Sequence, residues 1–187
     1  MSMLRSDRRT FVLATVASVF APSVSWAQDV KSVPRDHGPQ TMEIVNYPNE
    51  YAPGTIVISN ADQTLHRLLG GNKAERYKIS VGRDGFLWTG TTVVGRKATW
   101  PGWTPPGAMR QRDPSLPEYV PPGPYNPLGA RALYLFSGGR DTLYRIHGTN
   151  NAGTIGNYET SGCFRMTNAD VMSLYNKVPP GTKVVVK

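Results

Sequence analysis

The sequence predicts a mainly β domain, built as a sandwich or a half-open barrel, with one short C-terminal helix and a long proline-rich loop. Three observations lead to this class. Short apolar or alternating runs recur from Thr55 onward, separated by turn-forming residues, as in antiparallel sheets. Nine prolines between Pro101 and Pro127 disfavour helix interiors and central strands. A single segment near the C-terminus has apolar residues at helical spacing.

Residues 1–27 are predicted to be a signal peptide. Three arginines precede an apolar run at residues 11–20, and the small residues Ser25 and Ala27 flank Trp26 in the spacing that an export peptidase reads. The run is too short for a permanent transmembrane helix. We therefore expect cleavage after Ala27, export to the periplasm by the Sec or twin-arginine route, and no stable membrane insertion after cleavage.

The remaining 160 residues suit a single domain. Removal of residues 1–27, which include three Arg and one Asp, lowers the formal charge from +8 to +6. This charge is compatible with a merely soluble surface or with an anionic partner. Export argues against nucleic acid as that partner, whereas the peptides of the cell wall carry carboxylates.

The first part of this domain is expected to be an irregular N-terminal arm, residues 28–54, with four prolines and little periodicity. Strands are predicted at residues 55–59, 65–69 and 76–81. The connectors between them are short and rich in turn formers. The three strands should therefore form an antiparallel meander.

The proline-rich loop, residues 101–127, contains Trp103, Tyr119 and Tyr125. Long loops inside a compact domain often serve as lids or binding loops, and aromatic rings over a groove could hold sugar or peptide. Alternatively, the aromatic rings could simply hold an irregular coil in place. The sequence leaves both interpretations open.

A second hairpin is predicted from the runs 132–136 and 143–147, joined by a glycine-containing turn, and it brings His147 to a strand end. Beyond it, Thr167 is expected to cap a helix with Asp170 as its reciprocal partner. The apolar face of this helix comprises Val171, Leu174 and Tyr175. The helix should stop before a proline pair, and residues 183–187 should form the last strand.

Cys163 is the single cysteine of the chain, so no intramolecular disulfide can form. A lone cysteine can be an inert buried side chain or a nucleophile. His147 could take the thiol proton, Arg165 could lower the thiol pKa or bind a carboxylate, and the N–H groups of Gly162 and Cys163 could form an oxyanion hole. Three histidines and one cysteine do not supply a clustered zinc site, so we expect no metal and no cofactor.

Two segments, Ile146–Thr149 and Ser161–Met166, resemble the catalytic signature of the L,D-transpeptidases. The resemblance continues upstream in Thr104–Gly107 and Asn126–Gly129, and in shorter pieces downstream. It implies the L,D-transpeptidase type of β-sandwich, with residues 55–187 as the catalytic domain. The site residues it implies are the catalytic Cys163 and His147, and Gly162, Arg165, Gly148 and Ser161 as oxyanion or substrate-binding residues.

The resemblance also implies a function on peptidoglycan stem peptides, as donor and acceptor. Cys163 would attack the bond between diaminopimelate and D-alanine in a tetrapeptide stem and pass the thioester to an amine, which gives a 3→3 cross-link. Carbapenems would acylate the same thiol. Alternatives are an L,D-carboxypeptidase, a transferase that anchors an outer-envelope protein to the wall, and a non-catalytic peptidoglycan-binding domain. Thr160 and Ser161 depart from the serine and the frequent histidine of the family.

Overall fold

The computed structural model describes residues 37–187, so the predicted signal peptide lies outside the described residues. Within them, the chain forms eleven strands, two α-helices and one 3₁₀ turn. The strands are β1 (Glu43–Asn46), β2 (Ile56–Ser59), β3 (Thr64–Gly70), β4 (Lys73–Lys78), β5 (Val81–Gly82), β6 (Gly90–Thr99), β7 (Arg131–Ser137), β8 (Arg140–His147), β9 (Tyr158–Thr160), β10 (Phe164–Arg165) and β11 (Lys183–Val186). The helices are α1 (Gly107–Arg112) and α2 (Asn168–Lys177), and the 3₁₀ turn is Ala152–Thr154.

Nine strands form one sheet in the order β1-β4-β3-β2-β11-β6-β7-β8-β10, and β5 pairs with β9 in a small second sheet. The mainly β class is therefore confirmed, as are the antiparallel β2-β3-β4 meander and the β7-β8 hairpin. Ser80, just after β4, exchanges backbone hydrogen bonds of 2.8 and 3.0 Å with Arg165 in β10. The large sheet is thus curled, so that the segment after β4 reaches the edge strand β10 and one core lies inside the curve.

The main core lies inside this curled sheet and is closed by α2. It contains fully buried residues from both ends of the sheet, including Tyr77 of β4, Leu133 of β7 and Phe164 of β10. Val171 and Leu174 of α2 pack into the same cluster, as the predicted apolar face requires. Strand β10, which directly follows Cys163, is therefore held by the centre of the domain.

Helix α2 begins at the predicted cap. The Thr167 hydroxyl accepts a hydrogen bond of 3.1 Å from the Asp170 N–H. The expected reciprocal bond from Thr167 to the Asp170 carboxylate is not formed, because aspartate is one methylene shorter than the glutamate of a capping box. The buried Asp170 carboxylate accepts instead from the Thr41 N–H and hydroxyl, at 3.0 and 2.7 Å. This contact fastens the N-terminal arm to the helix.

Three expectations need correction. The arm is not irregular throughout, because Glu43–Asn46 forms β1 and pairs antiparallel with β4. The proline-rich loop contains a second helix, α1, since Pro106 precedes the first helical residue and Gly107–Arg112 is free of proline. Strand β6 was not predicted, because its glycines and charged residues obscure the alternation that pairing with β7 and β11 imposes. Neither helix of residues 37–187 has the length and apolarity needed to cross a membrane.

Candidate active site

Cys163 lies in the turn between β9 and β10, and the backbone of this turn is held on both sides. The Thr160 hydroxyl donates to the Cys163 carbonyl at 2.6 Å and accepts from the Gly162 N–H at 3.2 Å. The Trp88 indole N–H donates to the Gly162 carbonyl at 2.9 Å. Gly162 has a φ of +102°, and a Cβ there would come within 2.5 Å of the Tyr144 ring. Only glycine fits before this cysteine.

These contacts bear on the role expected for Gly162. Its N–H donates to the Thr160 hydroxyl, so a part in an oxyanion hole would require this bond to be shared, and that role stays a prediction. The Cys163 N–H, by contrast, has no hydrogen-bond partner within the described part of the chain. It is the donor available at the nucleophile.

Strands β8 and β10 bring the predicted catalytic residues together. The two strands pair in parallel, with Phe164 opposite Ile146 and Arg165 opposite His147. Phe164 and Ile146 are both in the core. Because side chains alternate along a strand, Cys163 and Arg165 point to the other face, the face of His147. Sequence reasoning had given no pairing between these segments.

His147 is only 6% exposed, and its ring orientation is fixed by a backbone contact. Its Nδ1 lies 2.6 Å from the Gly148 carbonyl oxygen, which can only accept, so we assign the proton to Nδ1 and the free lone pair to Nε2. Burial, the Arg165 charge and the Arg145 charge lower the pKa of His147 to about 3, against the Gly148 hydrogen bond, which raises it. The imidazole is therefore neutral at pH 7.

The Cys163 thiol is also neutral. Burial raises the pKa of Cys163 above its ordinary value. The Arg145 backbone N–H and the charges of Arg145 and Arg165 oppose this effect without reversing it. The Sγ atom lies 3.8 Å from the Leu143 carbonyl oxygen, a weak acceptor contact for the thiol proton. The resting pair is thus thiol and imidazole, rather than a preformed thiolate and imidazolium.

The loop after His147 is fixed by a residue that sequence reasoning missed. Asn168, at the start of α2, accepts from the N–H groups of Ala130 and Thr149 at 2.8 and 3.1 Å and donates to the Thr149 carbonyl at 2.7 Å. A Cβ on Gly148 would collide with the Asn168 side-chain oxygen. Gly148 therefore permits a close approach between this loop and α2, and its carbonyl orients His147. In the sequence, Asn168 was only the residue after a helix cap.

The two remaining predicted site residues lie beside the catalytic pair. Arg165 donates to the Thr154 hydroxyl at 2.8 Å and forms an ion pair with Glu159 at 3.4 Å, so its guanidinium is a fixed charge near His147. Ser161 lies on the cleft wall, with its hydroxyl 3.5 Å from a guanidinium nitrogen of Arg83.

A cleft of about 490 Å³ opens over these residues. Cys163, His147, Ser161 and Arg165 form one part of its wall, and Trp103 and Met109 of the proline-rich loop form another. Backbone hydrogen bonds of 2.8 and 2.9 Å between Trp103 and Val120 close the base of this loop. The loop therefore forms part of the cleft wall, which favours the interpretation that it is a binding loop or lid.

The other two aromatic residues of the loop do not line the cleft. The Tyr119 ring packs against Gly102, so it holds the coil in place, and Tyr125 is 76% exposed. Within residues 37–187, no three His, Cys, Asp or Glu side chains are grouped so that they could hold a metal ion.

Comparison with known proteins agrees with the motif resemblance. Residues 53–186 match the sequence model of the L,D-transpeptidase catalytic domain, YkuD. A probable L,D-transpeptidase, ErfK/SrfK of Escherichia coli, is 39% identical over 140 residues, which is 70% of this chain and 43% of that protein. The chain thus spans less than half the length of this relative.

Two solved structures show the same fold. One is a Brucella melitensis protein described as a probable carnitine operon oxidoreductase, with a TM-score of 0.55 and 42% identity, covering 82% of this chain and 98% of that one. The other is L,D-transpeptidase 3 of Mycobacterium tuberculosis, with a TM-score of 0.54 and 17% identity, covering 71% of this chain and 60% of that one. At that identity, the second likeness bears on the fold alone.

Proposed function

Because the chain belongs to the L,D-transpeptidase catalytic domain family, we propose that it is a periplasmic peptidoglycan acyltransferase with Cys163 as nucleophile and His147 as base. The observation that carries the proposal is the single cleft onto which both side chains open. There, the Gly148 carbonyl holds the Nδ1 proton of His147 and leaves Nε2 as the base. The proposed location follows from the signal peptide that the sequence predicts.

In the first half-reaction, Sγ of Cys163 attacks the carbonyl that joins diaminopimelate to D-alanine in a tetrapeptide stem. Nε2 of His147 takes the thiol proton as the C–S bond forms, so no free thiolate has to accumulate in the buried site. We expect the Cys163 N–H to donate to the developing oxyanion. A preorganised donor of this kind is worth more in a partly buried site than in water.

The low pKa of His147 helps the second part of this step. Because burial and the nearby arginines lower the pKa of His147, the imidazolium gives its proton readily to the departing amine of D-alanine. The C–N bond then breaks and a thioester remains on Cys163. D-Alanine leaves with a neutral amino group and an ionised carboxylate.

In the second half-reaction, the side-chain amine of another stem attacks the thioester. Nε2 of His147 accepts the amine proton and returns it to Sγ as the C–S bond breaks. One amide has replaced another, so the 3→3 cross-link needs no external energy source. Water in place of the amine would release a tripeptide instead.

The test is a product analysis with purified tetrapeptide muropeptides. We expect the protein to form cross-linked dimers and to release D-alanine, and Cys163→Ala to form neither while it still binds the muropeptide. Release of D-alanine with tripeptide alone would indicate a carboxypeptidase. Equal binding by both proteins with no turnover by either would contradict the proposal and favour a binding domain.

A further inference from the structure

Two arginines contact one aromatic ring at the mouth of the cleft. The guanidinium carbon of Arg83 lies 4.4 Å from the centroid of the Phe86 ring, and that of Arg112 lies 4.8 Å from it. Phe86 and Arg112 line the same cleft as Cys163, and both arginines are exposed. The ring holds two guanidinium groups close together while their N–H donors stay accessible.

These two cations differ from the other arginines of the site. Arg145 forms a bidentate ion pair with Asp141, and Arg165 pairs with Glu159. In contrast, neither Arg83 nor Arg112 has a carboxylate within ion-pair distance anywhere in residues 37–187. The cleft therefore carries positive charge on its exposed side that no acidic side chain of the described domain neutralises.

Arg83 contacts the turn that carries the nucleophile. A guanidinium nitrogen of Arg83 lies 3.5 Å from the Ser161 hydroxyl. Ser161 is two residues before Cys163, so the two Cα atoms are at most about 7.6 Å apart. The carboxylate carbon of the residue that follows an attacked carbonyl lies within about 4 Å of that carbonyl, so it stays close to the nucleophile turn. Arg83, which contacts Ser161 in this turn, lies in the same region.

We propose that Arg83 and Arg112, which both contact the Phe86 ring, form a carboxylate subsite for a stem peptide. This inference rests on the proposed function and names the substrate group that the same cleft recognises. Guanidinium groups bind carboxylates through paired N–H donors, and both arginines have donors to spare. The carboxylate belongs either to the D-alanine of the donor or to the acceptor stem.

The first test needs no turnover. Iodoacetate and iodoacetamide alkylate a thiol through the same displacement of iodide, and they differ in the charge of the group they carry. Cys163 is the only cysteine, so intact-mass measurement reports its alkylation alone. The ratio of the two rate constants at a fixed pH removes any effect of a variant on the thiol pKa, because both reagents use the thiolate.

We expect Arg83→Gln and Arg112→Gln each to lower the iodoacetate-to-iodoacetamide ratio about threefold, and the double variant about tenfold. Arg110→Gln is the matched control, because Arg110 lies on the same helix, is exposed and does not line the cleft. An unchanged ratio in the double variant overturns the proposal. An equal fall in Arg110→Gln shows a general charge effect and overturns it as well.

The second test separates the two sources of the carboxylate. Tetrapeptide donor with a C-terminal carboxamide, and acceptor stem with amidated carboxyl groups, are each compared with the free acids. For the stem that uses the subsite, we expect the arginine variants to raise KM about tenfold with the free acid. With the amide of the same stem, KM should change little. No difference between acids and amides for either stem overturns the proposal, whereas absence of all turnover in the wild type bears on the proposed function only.

Discussion

The protonation state of the resting site predicts how fast Cys163 reacts at each pH. Burial raises the pKa of the thiol from a reference value of 9.0, and the pKa of His147 is lowered to about 3. Neither group therefore changes its charge between pH 5 and 8. A preformed ion pair would need the opposite pair of shifts.

The expected magnitude follows from the thiolate fraction. With a pKa of 9 or above, the thiolate fraction rises about 75- to 100-fold between pH 6.5 and 8.5, whereas a thiol with a pKa near 5 is already ionised and its rate is almost constant. The assay is the rate of iodoacetamide alkylation of Cys163 by intact mass, with guanidinium-unfolded protein as the reference thiol. We expect the folded protein to react more slowly than the unfolded protein at pH 7.5. A rate plateau above pH 6 in the folded protein would refute the neutral-pair assignment.

Three further predictions address the turn, the fold and the drug target. Thr160→Val should lower kcat about tenfold with little change in KM, because it removes both hydroxyl contacts of the nucleophile turn. Thr160→Ser keeps the hydroxyl and should stay close to wild type. Steady-state kinetics on tetrapeptide muropeptides would measure both variants. Glu75→Gln should destabilise the domain by about 2 kcal/mol at pH 7, measured by urea unfolding, because buried Glu75 bonds Arg67 and Lys177 at 2.8 and 2.6 Å. Burial alone would raise the pKa of Glu75, but these side chains and Tyr77 lower it to about 2. The extra stability of the wild type over Glu75→Gln is therefore complete above pH 4.5 and is lost as the pH falls from 4.5 to 2. A stability difference that persists at pH 2 would contradict this assignment. A carbapenem should add its mass to Cys163, and no addition at any pH would count against an accessible nucleophile.

The sequence predicted those parts of the fold that depend on neighbouring residues. The β2-β3-β4 meander and the β7-β8 hairpin need only short apolar runs and turn formers, and both were found. Helix α2 is capped by Thr167 as expected, because a cap is a local hydrogen bond. The candidates Cys163 and His147 came from the resemblance of Ile146–Thr149 and Ser161–Met166 to the catalytic signature of the L,D-transpeptidases.

The elements that the sequence missed depend on partners far along the chain. Strand β1 is stabilised by pairing with β4, and its own run of residues has too weak a pattern to stand out among prolines. Asn168 became a site residue only because α2 packs against the loop after His147. The stacking of Arg83 and Arg112 on Phe86 likewise joins residues that no local pattern relates.

The central claim is that Cys163 carries the acyl group. The most direct measurement is the intact mass of the protein, quenched in acid shortly after mixing with tetrapeptide muropeptide, followed by peptide mapping. We predict an adduct equal to the tetrapeptide donor minus D-alanine, confined to Cys163, lost on treatment with hydroxylamine and absent from Cys163→Ser. Cross-linked products formed with no thioester on Cys163, or an adduct on another residue, would contradict the account.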